Sequence, residues 1–199
     1  MDSLTLHLVH RDGIAPGSIA KELGDDLVAI VFDGDADDYV DVQPGYYEAA
    51  LRNLSVWPID EVDVMRVNDD CFLFIFQDDQ PDLASRMLDV SSLMKMIESK
   101  LPTDAARAAA SIGAHGVLAG VPRDHLLIVF VIDGGDLATG AENVIANVLE
   151  NYEDDDDESL SPWIYWVRGD HVEEIGYELD AEGEVESIHC PHELLPLLR

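Results

Sequence analysis

Asp33, Asp35 and Asp37 alternate in the stretch Asp33-Gly34-Asp35-Ala36-Asp37, the spacing in this chain best suited to chemistry. Alternate carboxylates in a glycine-containing turn can aim at one point, which suits a hard cation such as Mg²⁺ or Ca²⁺ with its oxygen ligands. Asp33, Asp35 and Asp37 are therefore the candidate metal ligands, and no organic cofactor is expected. His189-Cys190-Pro191-His192 is a second group of ligand-type residues. A tetrahedral zinc site needs about four ligands, and no other Cys/His pair supplies the rest. No nucleophile elbow, P-loop or dinucleotide fingerprint is present. No catalytic residue is assigned, and a protein without enzymatic activity is the leading expectation.

The aspartate loop resembles the metal loop of phosphohexomutases, which reads DGDAD followed by Arg behind a buried strand. Here Asp38 replaces that Arg, and the likeness covers residues 33–38. It is also similar to the Asp-x-Asp of haloacid-dehalogenase-type phosphatases. That resemblance implies Asp33 as nucleophile and Asp35 as acid/base, with Asp37 standing where Thr or Val is usual. Neither family's further loops follow in the chain. A divalent-metal-dependent hydrolase or phosphotransferase using Asp33 and Asp35 is thus the alternative function.

Charge bears on function more broadly. Forty-two acids against 11 Lys plus Arg give a formal net charge of −31. Such a field repels nucleic acid and anionic membranes and attracts cations and basic proteins. A generic acidic surface and adaptation to high salt compete with a functional reading, and only Lys21, Lys95 and Lys100 are lysines. The functional reading is a non-catalytic acidic protein-binding module: an inhibitor of the immunity-protein kind, or a mimic of nucleic-acid charge, that captures a basic protein. Asp154, Asp155, Asp156 and Asp157 form the densest acid run, and Trp163 and Trp166 follow it as candidate aromatic anchors. These six are the expected partner-binding residues. Oligomeric state is not legible.

Three apolar runs end in acids: residues 27–38, 71–79 and 126–136. Continuous runs of this kind read as strands buried on both faces. If the three were parallel neighbours, Asp33, Asp35, Asp78, Asp79, Asp133 and Asp136 would gather at one sheet edge. A hairpin joining residues 61–67 to 71–76 through Asn68-Asp69-Asp70 argues against that, since so short a loop cannot carry a parallel crossover. Period-two alternation predicts a strand over 4–9. Helices are expected over 18–23, 46–54 and 81–101, again from Asp104, and over 139–152 behind a Thr139-x-x-Glu142 capping box. A strand meander over 163–189 and a short final helix close the chain.

The fold expected is α+β (mixed α/β), with a largely antiparallel mixed sheet and helices packed on it. Residues 1–199 are read as a single domain, with subdivision near 102–122 as the alternative and an acidic loop over 153–161. No apolar run approaches the length that crosses a bilayer, and the N-terminal residues lack a signal-peptide pattern. Two cysteines make no disulfide framework, so a reducing cytoplasm is the expected location.

Overall fold

A computed structural model describes all of residues 1–199 except 2, 57, 60–61, 70, 79–81, 154–158 and 199. Its chain order is β1 (Leu4–His10), β2 (Ile19–Glu22), β3 (Leu27–Asp33), β4 (Asp38–Tyr39), α1 (Tyr46–Ser55), β5 (Asp63–Arg66) and β6 (Phe72–Gln77). Then follow α2 (Val90–Ile97), α3 (Asp104–Ala109), β7 (Val117–Arg123), β8 (Leu126–Val131), α4 (Leu137–Asn151), β9 (Ile164–Arg168), β10 (His171–Ile175), β11 (Tyr177–Leu179) and β12 (Val185–Ile188). Short 3-10 turns punctuate these elements, among them Ala84–Asp89 ahead of α2.

The apolar runs 72–77 and 126–131 become adjacent strands in a six-stranded sheet of order β10-β9-β7-β8-β6-β5. Every pairing in it is antiparallel. Its composition would suit a parallel sheet, because neither face is left to water. Phe72, Phe74 and Phe76 point into one core with Leu127, Val129 and Val131. Leu73, Ile128 and Phe130 point into a second core on the other side. Alternation places successive side chains on opposite faces, so a strand covered on both sides must be apolar throughout.

Each cover has its own origin in the sequence. On the first face lie α1, α2 and a smaller antiparallel sheet of order β1-β3-β2, with β4 paired to the end of β3. Leu4, Leu6 and Leu8 of β1 and Leu27, Ala29 and Val31 of β3 turn inward together. On the second face lies α4, which crosses β7 to bring the chain from β8 to β9. Gly120 of β7 and Gly140 of α4 permit its close approach. A Cβ on Gly120 would lie 2.3 Å from Val148 Cγ2, and one on Gly140 would lie 2.4 Å from Phe130 Cε1. The β11–β12 hairpin and Leu194 complete this cover.

These elements make an α+β fold with antiparallel sheets, as expected, and the hairpin of β5 and β6 is present. Among the described residues no helix is long and apolar enough to cross a membrane. Several local expectations are corrected. Residues 19–22 pair with β3 as a strand instead of forming a helix. The stripe over 81–101 breaks into the turn Ala84–Asp89 and the helix α2. Helix α4 is capped by Asp136, whose carboxylate accepts from the Thr139 amide at 3.1 Å, so the Thr139 capping box is not used. The segment 102–122 contributes β7 to the interior of the large sheet.

Gly140→Ala tests the packing of α4. Helix propensity alone would gain up to about 1 kcal/mol from this change. The buried Phe130 ring leaves no room for the methyl group, so a net loss of about 1–3 kcal/mol is expected in chemical denaturation. A gain would show that α4 stands farther from the sheet.

Candidate functional site

The aspartate loop serves the backbone first. Asp33 ends β3, and its Oδ1 accepts from the Asp35 amide at 3.1 Å. The Ser3 hydroxyl is the main cause holding the Asp33 carboxyl below its ordinary range, with the Asp35 and Ala36 amides adding to it. Asp37 adopts a left-handed φ of 53°, and Asp38 Oδ1 accepts from the Tyr39 amide at 2.8 Å. Short acidic side chains that bond the backbone and tolerate this conformation are what a tight turn into β4 requires. Among the described residues no three His, Cys, Asp or Glu side chains converge as metal ligands. Asp33, Asp35 and Asp37 lie in an Asp-rich turn whose hydrogen bonds serve the backbone.

The imagined carboxylate edge does not form either. Strand β3 belongs to the small sheet, and β6 runs antiparallel to β8, so their acidic ends point apart. Asp79 lies outside the described residues. Burial works to raise Asp133, but the His115 ring, 2.7 Å away, and the His115 amide outweigh it and hold the carboxyl low. Asp136 is held low by the Thr139 hydroxyl and amide.

Of the expected partner-binding residues, Asp154, Asp155, Asp156 and Asp157 lie outside the described residues. Trp166 is 0% exposed and donates from Nε1 to the His115 carbonyl at 2.6 Å. It is core, which removes it as a surface anchor. Trp163 is half-buried, packed edge-on against Tyr177 with ring centroids 5.3 Å apart.

Trp163 also lines a surface groove of about 270 Å³, together with His10, Asp12, Asp26, Tyr152 and Leu160. The groove lies where the turns of the small sheet meet the connection between α4 and β9. Asp12 and Asp26 stand exposed at its rim. Arg11 also lines it, but its Nη1 is paired with Glu22 Oε1 at 3.0 Å. Its Nε and Nη2 donate to the Asp25 and Gly24 carbonyls. Near the groove, Glu174 lies beside Gly24; burial pushes its carboxyl up, a hydrogen bond from the Asp25 amide works against that, and the Asp25 and Asp26 charges add to the rise. Burial disfavours the charged form, and the neighbouring carboxylates add to that cost.

The floor of the groove is pinned. Tyr177 donates to the Pro162 carbonyl at 2.6 Å, and the Trp163 amide donates to Ser161 Oγ at 3.1 Å. Described residues on either side of the acid run are held by hydrogen bonds. The Glu153 amide donates to Ser159 Oγ at 3.2 Å, and the Leu160 amide donates to the Pro122 carbonyl at 2.9 Å. Tyr152 and Leu160, which bracket the run in sequence, line the groove. An aromatic wall with carboxylates at its rim can take the methylene stem and cationic head of a lysine or arginine.

One polar group was not foreseen from the sequence. Asp82 and Arg86, 3% and 2% exposed, lie respectively before and in the turn Ala84–Asp89. Arg86 Nη1 donates to the Leu54 carbonyl near the end of α1, a C-terminal cap that ties α1 to the turn. Burial pushes Asp82 up to about 6, while Arg86 pulls it down and Asp78 and Asp124 add to the rise. The i,i+4 spacing of Asp82 and Arg86 was visible, but it reads as a surface pair unless the helix is known to be buried all round. Comparison with protein-family models, with curated proteins and with solved structures returned no match.

Asp82 predicts a pH dependence. Its folded pKa lies above its ordinary 3.8, so between about 4 and 6 the native chain binds more protons than the unfolded one. Stability should then fall as pH rises through that window, by up to about 3 kcal/mol from this group. Subtracting the stability–pH curve of Asp82→Asn from that of the parent chain isolates the effect. A flat difference would show that Asp82 is ionised without cost.

Proposed function

We propose that the chain is a non-catalytic acidic binding protein that captures a basic protein partner. The observation that carries this reading is the placement of the Trp163 groove. Its exposed carboxylates, Asp12 and Asp26, share the groove with Tyr152 and Leu160, which bracket the densest acid run in the sequence of a chain of net charge −31. Binding follows in two steps. The negative field of the chain steers a basic protein toward the groove, which raises the association rate. A lysine or arginine of the partner then enters, its stem against Trp163 and Leu160 and its charge between Asp12 and Asp26. Aromatic anchors of this kind carry most of the affinity at many interfaces, while rim charges act chiefly on rate.

The test begins with affinity capture from the native host at low ionic strength, followed by titration of the captured protein. A basic partner is expected, with association slowing steeply between 50 mM and 500 mM salt. Trp163→Ala should weaken binding by about 2 kcal/mol. The double variant Asp12→Asn, Asp26→Asn, which leaves the core untouched, should slow association at low salt and matter less at high salt. Capture of no basic protein, or affinity indifferent to both salt and these substitutions, would overturn the proposal.

A further inference from the structure

We propose that the cavity between α2, α3 and the end of β9 binds a small organic oxyanion, a phosphate- or carboxylate-bearing molecule with an apolar body. The cavity has a volume of about 420 Å³, within the range of small-molecule sites. Over the whole chain acids outnumber Lys plus Arg nearly four to one. In this lining the ratio is reversed: Lys95, Arg107 and Arg168 face a single described carboxylate, Glu98. A charge distribution in this cavity that runs against the composition calls for an anionic occupant.

The three cations are held differently. Arg107 of α3 donates to the Leu101 carbonyl at 2.7 Å and pairs with Asp104, so part of its charge is already used. Lys95 of α2 and Arg168 of β9 form no ion pair with a described residue. Arg168 stacks on the buried Trp166 ring, with its Cζ 4.5 Å from the centroid. Stacking fixes the guanidinium plane and leaves its N–H edges for an acceptor, a geometry suited to the two oxygens of a carboxylate or phosphate. Trp166 is in turn fixed through Nε1, so the guanidinium rests on a rigid support.

The lining also has an apolar part, with Val90, Met94 and Ile112. Gly116 allows the wall to close: its φ is +78°, and a Cβ there would lie 2.2 Å from the Val167 carbonyl oxygen. Only glycine lets this loop meet the end of β9 so closely. The result is a cleft with an oxyanion-binding end and a hydrophobic flank. The cleft shares no residue with the Trp163 groove, so either site can fail without the other.

The test is a titration of the full chain followed by amide NMR at 150 mM KCl, where the −31 field is screened beyond about 8 Å. Phenyl phosphate, phenylacetate and inorganic phosphate are the probes, and the Gly113, Gly116 and Gly169 amides report on the site. Phenyl phosphate or phenylacetate should produce saturable shifts at these glycines, at lower concentration than inorganic phosphate. The organic anion with the lower Kd identifies the headgroup. Lys95→Gln and Arg168→Gln should each raise that Kd about tenfold or more. Lys95 is exposed on α2, so its variant tests binding without disturbing the Trp166 stack. The proposal is overturned if no probe gives saturable shifts at these glycines. It is equally overturned if inorganic phosphate binds as tightly as the organic anions, or if both variants bind as the parent does.

Discussion

Leu73 and Phe74 are neighbours on β6 and belong to different cores. That division is the constraint on which the molecule depends. A six-stranded antiparallel sheet whose central strands are apolar on both sides cannot leave either face to water. The chain therefore supplies two unlike covers: a small sheet with α1 and α2 on one side, α4 with the final hairpin on the other. The glycines under α4 and the Arg86 cap at the end of α1 both serve these covers. Edge strands end the sheet with charge: β10 carries Glu173 and Glu174, and β5 carries Asp63 and Arg66. Charged edges discourage pairing with another chain.

With so much of the apolar content committed to two cores, the acids are left to the turns and rims. A net charge of −31 opposes compactness through self-repulsion, and the structure relieves it locally in two ways. Aspartates at Asp33, Asp38 and Asp136 accept from backbone amides, so their charge stabilises turns and a helix cap. Elsewhere, Asp12 and Asp26 stand exposed at the rim of the Trp163 groove. That contrast separates acids that form turns and caps from acids that border the aromatic groove.

Much of this architecture was legible in the sequence. The runs 72–77 and 126–131 announced strands covered on both faces, and the three-residue connection at 68–70 announced a hairpin. Leu4, Leu6 and Leu8 announced a half-buried strand. What was not legible depends on distant residues. Residues 19–22 have no strong pattern of their own and become a strand because β3 offers an edge. The stripe over 81–101 has helical spacing, yet its first part tightens into a 3-10 turn where Arg86 must reach Leu54. The aspartate loop looked like a metal site because alternate carboxylates serve a cation and a tight turn equally well in one dimension. Trp163 was identified, but its groove was not, since Asp12 and Asp26 stand more than a hundred residues away in sequence. The cationic cleft was hidden for the same reason: Lys95, Arg107 and Arg168 come from three elements, and nothing in their local sequence links them.

Hydrogen exchange of the chain with and without its captured basic partner addresses the central claim most directly, because amide protection maps the contact surface without substitution. Binding at the Trp163 groove should slow exchange at residues 10–13, 25–26 and 159–163, and leave residues 90–98 and 111–116 unchanged. Protection confined to other surfaces, with residues 159–163 exchanging as in the free chain, would contradict it.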